Sequence, residues 1–182
     1  MQIVNGKFRL EALMRWCAGA FMVLCSAGSV RAQDKPPLPA LDVTAKEMSA
    51  FIDGFPKDVI TDRAIKVAEV GGYRVGIFGV FRPKALPGDA ILHETKTSEV
   101  YYMLEGSGTL VTGGYIRDYK PGADGKVTPT RGTRIEGGVS RRVTVGDVIV
   151  IPGRTPHWWS ALEGDIRYMI IRPDPENRLT VR

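Results

Sequence analysis

The chain carries two histidines, His93 and His157, and each falls within a glycine-bounded strand-and-turn segment. The first segment runs Gly88-Asp89-Ala90-Ile91-Leu92-His93-Glu94-Thr95, reaches Glu99 after a short polar stretch and closes at Gly106. The second runs from Gly146 through an apolar stretch to Pro152, then Gly153-Arg154-Thr155-Pro156-His157-Trp158-Trp159. Histidine is the commonest protein metal ligand and titrates near neutral pH. Side chains alternate faces along a strand, so His93 and Thr95 share one face and Glu94 takes the other. By the same parity Glu99 sides with Tyr101 and Met103, and His157 with Trp159. Two imidazoles and one carboxylate arriving from different strands suit a divalent transition metal. Three protein donors leave coordination positions open for water or substrate, as a catalytic metal requires.

Other chemistry fits the same residues. A buried carboxylate needs relief, from a cation, a protonated histidine or water. Metal-free acid–base catalysis, with His93 or His157 as base and Glu99 tuning it, is a third use. A thiol nucleophile is excluded from the folded part. Both cysteines, Cys17 and Cys25, lie in residues 1–32, and no serine sits in a nucleophile-elbow pattern.

Residues 1–32 read as a signal peptide. Lys7, Arg9 and Arg15 make a basic start, Trp16 to Val30 is apolar and uncharged, and Val30-Arg31-Ala32 fits a small-residue cleavage site. That apolar run is shorter than the about 20 residues a spanning helix needs. Leu24 before Cys25 argues against lipid attachment. Cleavage removes four of the 25 basic residues and one of the 20 acidic ones, leaving 21 against 19. The high isoelectric point is therefore no argument for nucleic acid. The remaining 150 residues are enough for one core. The expected location is the periplasm or the exterior, with no membrane anchor after cleavage.

The elements that must position the donors follow. Residues 33–41 form a proline-rich tether. Thr44 to Asp53 reads as a short helix with Thr44 as cap, Glu47 completing a capping box, Val43 and Met48 as a staple and Gly54 at its end. Expected strands cover residues 64–70, 73–81, 90–95, 99–104, 108–111, 133–145, 147–151, 157–161 and 166–172, rich in Val, Ile, Tyr and Thr. Gly71-Gly72, Gly106-Ser107-Gly108 and Glu163-Gly164-Asp165 read as tight turns. Many short strands without a second helix mean an all-β sandwich or barrel, spanning residues 42–175 with a tail at 176–182. Residues 113–132 are irregular. They are either a flap bearing Arg117, Lys120, Lys126 and Arg131 or a solvated hairpin extension, which is the commoner use of such an insertion.

These motifs resemble those of the cupin superfamily, whose small single-domain members have an RmlC-like jelly-roll barrel. His93, Glu99 and Gly106 match the first motif, and Gly146, Pro152 and His157 the second, over roughly residues 75–172. The departures are specific. Thr95 stands in the place of a second histidine ligand, Arg154 stands where the second motif has glycine, and Gly88 is displaced by one residue. The resemblance implies one divalent transition metal on His93, Glu99 and His157, and isomerase, lyase, decarboxylase or dioxygenase chemistry on a small molecule. It also implies a homodimer that buries strand edges. The missing fourth ligand favours the alternative of a non-catalytic binding module, with or without metal. Tyr101, Met103, Trp159 and Tyr168 are expected to line the pocket, since small-molecule sites are largely apolar. Trp158 is expected to face away from Trp159. Arg74, Arg82, Arg167 and Arg172 are strand arginines, any one of which could steer an anionic ligand.

Overall fold

Thr44 opens the first element as its capping pattern requires. In the computed structural model, which describes residues 39–122 and 129–181, α1 spans Ala45–Asp53. The signal-peptide reading, most of the tether and Lys126 lie outside the described residues. The backbone N–H of Glu47 donates to Thr44 Oγ1 at 3.2 Å, and the N–H of Thr44 donates to Glu47 Oε2 at 2.7 Å. Gly54 ends the helix with φ −73°, so no left-handed cap is used. Met48 and Ile52 are buried against Phe55 and Phe81, with Val43, Ile77, Leu104 and Met169 around them. The helix can approach its sheet because Gly79 has no side chain. A Cβ there would lie 2.8 Å from Ile52 and 3.1 Å from Phe51. Among the described residues no helix is long and apolar enough to cross a membrane.

Twelve strands follow: β1 Thr61–Glu69, β2 Arg74–Arg82, β3 Ala90–Leu92, β4 Glu99–Glu105, β5 Ser107–Thr112, β6 Tyr115–Arg117, β7 Thr130–Gly132, β8 Arg134–Glu136, β9 Val139–Thr144, β10 Val148–Ile151, β11 His157–Leu162 and β12 Ile166–Asp174. One five-stranded sheet has the order β1-β2-β12-β4-β10, a second β7-β3-β11-β5-β9, and β6 pairs β8 in a small third. Every pairing is antiparallel. The core draws on both large sheets: Phe78, Val80, Tyr101, Met103, Tyr168 and Ile170 from the first, and Leu110, Val143, Trp159 and Leu162 from the second. This is an all-β jelly-roll with one short helix, as the strand pattern predicts.

Two expectations change. Residues 133–145 are two strands rather than one. Gly137, at φ +70°, and Gly138 break the run, sending β8 to β6 and β9 to β5. The irregular stretch 113–132 contains strands of its own: β6 pairs β8 outside the two large sheets, and β7 pairs β3 within the second. Gly132 permits the close packing there, since a Cβ would lie 2.3 Å from the Arg117 carbonyl oxygen.

Candidate metal centre

Strand parity and register bring the donors together. Along β4 the buried positions are Glu99, Tyr101 and Met103, and along β12 they are Ile166, Tyr168, Ile170 and Asp174, with the half-buried Arg172 in the same row. Val100 pairs with Ile171, so Glu99 lies beside Arg172. His157 opens β11 opposite Ile91 of β3 and Thr112 of β5. β3 ends at Leu92 rather than at Thr95, so His93 and Thr95 belong to the connection into β4. Thr95 is nevertheless buried.

His93, Glu99 and His157 meet, each offering a ligand atom within 4.8 Å of the others. His157 Nε2 is 3.1 Å from Glu99 Oε2, and His93 Nε2 is 3.7 Å from Glu99 Oε1. The imidazole rings stack with centroids 5.8 Å apart. Glu99 and His157 are each only 3% exposed. His157 Nδ1 lies 3.0 Å from the Thr155 carbonyl oxygen. A carbonyl can only accept, so Nδ1 carries a proton. Both Nε2 atoms are buried without a hydrogen-bond partner. An imidazole nitrogen therefore faces a carboxylate oxygen, which is favourable only with a cation or a proton between them.

The carboxylate is ionised. Burial pushes Glu99 up, but the Arg172 guanidinium outweighs it with help from the imidazoles, and its carboxyl sits well below the usual range. Arg172 donates to Glu99 Oε1 from Nε at 2.7 Å and also grips Asp62, at 3.1 Å and 2.6 Å. Burial works against the Arg172 charge, yet Asp62 and Glu99 raise its affinity for the proton. The Tyr101 hydroxyl donates to Glu99 Oε2 at 3.1 Å. Burial, then Glu99, raise the Tyr101 pKa well above the ordinary value, so the phenol stays protonated. Burial lowers the His93 pKa more than Glu99 restores it, which keeps that imidazole neutral and ready to ligate.

The donor set fits a divalent metal. Its Nε2 atoms are buried and orphaned, and a carbonyl engages the other ring nitrogen of His157 as ligand histidines require. Bonds of about 2.1 Å place neighbouring donors about 3–3.4 Å apart, which the 3.1 Å and 3.7 Å separations approach. Arg172 is the one feature that opposes a cation, because it already neutralises Glu99.

Of the residues expected in the pocket, only Tyr101 touches the donors. Met103, Trp159 and Tyr168 sit in the core instead. Parity places a side chain inside the barrel but does not set its depth. Two cavities adjoin His93. One, of about 170 Å³, is lined by Thr95, Thr97, Glu99, Arg172, Arg178 and Leu179. The other, of about 400 Å³, includes Asp62, Arg82, Asp89, Arg131 and Arg172. A groove of about 480 Å³ under α1 contains none of the three donors.

Sequence reasoning missed Asp62 and did not separate Arg172 from the other strand arginines. Its parity with Tyr168 and Ile170 was the available signal. The stretch 176–182, expected as a tail, is tied back as far as Leu179. Asp174 accepts from the N–H groups of Glu176 and Leu179, and this brings Arg178 and Leu179 to the smaller cavity. Trp158 packs outside the core beside Ala90, Val111 and Ile135, and its indole N–H donates to the Gly88 carbonyl.

The motif glycines have a physical reason. Gly88, Gly106 and Gly146 all have φ between 75° and 92°, where a Cβ is strained. Arg154, standing where the family has glycine, adopts φ 63° despite its side chain. Gly153 beside it packs on the Lys96 backbone, where a Cβ would lie 2.6 Å away.

No family model and no curated protein matches the chain. Solved structures do match. An RmlC-like cupin from Methanocaldococcus jannaschii is 13% identical, covers 67% of this chain and 89% of its own, and has a TM-score of 0.41. The polyketide cyclase RemF from Streptomyces resistomycificus is 20% identical over 68% of this chain and 70% of its own, at 0.40. The DMSP lyase DddQ from Ruegeria pomeroyi DSS-3 is 15% identical over 84% of each chain, at 0.41. These values tie the chain to none of the named activities. Two five-stranded antiparallel sheets sharing one core give this chain a jelly-roll fold.

Proposed function

We propose that this chain is an exported, homodimeric cupin that holds one divalent transition metal on His93, Glu99 and His157 and acts on a small molecule in the adjoining cavities. The observation that carries the reading is the pair of orphaned Nε2 atoms grouped around an ionised, buried carboxylate. When bound, such a metal supplies Lewis-acid polarisation or oxygen activation, which suits isomerase, lyase, decarboxylase or dioxygenase chemistry. The chain's own residues do the positioning. The Thr155 carbonyl orients His157, Tyr101 and Arg172 fix the Glu99 oxygens, and Thr95 lines the cavity beside His93 and Glu99. Export is supported by the basic start and the uncharged stretch Trp16–Val30. Elemental analysis of the untagged protein starting at Gln33 tests the centre. Near-stoichiometric transition metal is expected, falling at least about tenfold in His93→Ala and in His157→Ala. Full retention in both variants rejects the site.

The grip of Arg172 on Glu99 favours a second reading, a binding module with little or no metal. A guanidinium 2.6 Å from the carboxylate lowers its value to a cation. Chelator-treated protein that still shows a ligand-induced melting shift supports this reading, and a shift seen only with metal present rejects it.

A further inference from the structure

Arg82 ends β2 on the face that turns Phe78 and Val80 into the core. Its guanidinium is held in place. Nε donates to the Tyr168 hydroxyl at 2.9 Å and Nη1 to the Pro87 carbonyl at 2.7 Å. The turn at Gly88, with φ +92°, wraps the group so closely that a Cβ there would lie 2.7 Å from Nη1. Both partners are neutral acceptors, and a guanidinium does not give up its proton in a protein.

Among the described residues, no carboxylate forms an ion pair with Arg82. The two acids on the wall of its cavity are engaged elsewhere. Asp62 accepts two bonds from Arg172, and Asp89 lies 3.7 Å from Arg131. Nη2 has no protein partner among these residues. The cavity of about 400 Å³ that Arg82 lines also has His93 in its wall. That volume falls within the range of small-molecule sites. Of the three guanidiniums on its wall, Arg131 is paired with Asp89 and Arg172 with Asp62 and Glu99, whereas Arg82 has no carboxylate in contact among the described residues.

We propose that Arg82 anchors an anion subsite in this cavity and that the small molecule taken by the barrel is an organic carboxylate. Its acid group would sit on the free edge of the Arg82 fork and its other end would point toward His93. A planar carboxylate matches a guanidinium edge with two parallel hydrogen bonds, and an amide of the same shape brings no charge to it. The subsite deepens the reading of the barrel as a small-molecule site and does not require the metal.

Matched acid and amide probes test it. Isothermal titration uses benzoate against benzamide and succinamate against succinamide, on the untagged protein starting at Gln33, with chelator and with one equivalent of Zn²⁺. The acid of at least one pair is expected to bind about tenfold or more tightly than its amide. Arg82→Gln should abolish that preference and Arg82→Lys, which keeps charge but loses the fork, should restore part of it. Arg142→Gln on the exposed surface should leave it unchanged. If Arg82→Gln fails to fold by near-ultraviolet circular dichroism, Arg82→Lys carries the test through a reduced acid preference. Equal binding of acid and amide in both pairs, no binding of either acid at 10 mM (about 2.7 kcal/mol of standard binding energy), or full preference in the Arg82 variants overturns the subsite. Metal content measured on the same samples decides the metal centre separately, since acid preference in the chelated arm stands whether or not metal is retained.

Discussion

Glu99 is the residue on which the centre turns. Its carboxylate is buried yet ionised, gripped by Arg172 and Tyr101 and flanked by two imidazoles whose Nε2 atoms have no hydrogen-bond partner. This sets a pH response in chelator-treated protein. The folded pKa of Glu99 lies below its ordinary 4.5, so the unfolded chain binds more protons there. The stability it contributes is present above about pH 4.5 and is lost as pH falls through the folded value. The folded pKa of His93 is also lowered, so the unfolded chain takes up its proton first as pH drops below about 6.5. Both effects have the same sign. The melting temperature of chelated protein should fall as pH is lowered from 7 to 4, and Glu99→Gln should flatten the portion below pH 4.5. Glu99→Gln should also lower stability near neutral pH by about 1–3 kcal/mol, because it removes one of the two carboxylates that hold Arg172 and leaves Asp62 as the other. An unchanged melting profile between pH 7 and 4 would contradict this account of the electrostatics.

At the scale of elements, the turns decide where the donors end up. Gly106 joins β4 to β5 at φ +75°, and a Cβ there would lie 2.2 Å from the Asp165 carbonyl oxygen. Gly146 has φ +86° but nothing within 4 Å. Gly146→Ala should therefore cost only backbone strain, about 1–2 kcal/mol. Gly106→Ala adds a backbone clash and should cost clearly more, measured by denaturant unfolding of the two variants side by side. Equal losses would mean that strain alone explains the motif glycines. Short strands also matter here. Because β3 stops at Leu92, His93 is carried by a connection, while Glu99 and His157 stand at the first positions of β4 and β11. Two donors are thus fixed by ladders and the third by a turn, consistent with the greater exposure of the His93 side chain, 27% against 4% for the others.

At the scale of the molecule, the outer faces of the barrel are treated differently. On the β1-β2-β12-β4-β10 sheet, α1 covers Ile77, Phe81, Leu104 and Met169. Farther along, at the edge strand β10, Val148 and Val150 are 59% and 65% exposed, and Tyr102 is exposed beside them. An unpaired apolar edge invites association. Sedimentation equilibrium should give a dimer for the protein starting at Gln33, and Val148→Lys with Val150→Lys should give a monomer. A monomer for the unsubstituted protein at 100 µM (weaker than about 5.5 kcal/mol of association) would end the homodimer reading.

What the sequence determined by itself was local. Two-residue alternation and the spacing of His93, Glu99, Gly106, Gly146, Pro152 and His157 were enough for the barrel class and for the convergence of three donors, since parity and turn geometry act over a few residues. The Gly137-Gly138 break was equally local, but strand propensity on both sides concealed it. Depth and partnership were decided only by tertiary structure. Met103, Trp159 and Tyr168 share the parity of the donors yet fill the core, because alternation sets the side of a sheet and not the position along the barrel axis. Arg172 reaches Glu99 across 73 residues and Asp62 across 110, and Arg82 meets Tyr168 across 86. Such pairings depend on strand order and register across the sheet, and no short-range pattern records which arginine is spent on an acid and which is left for a ligand.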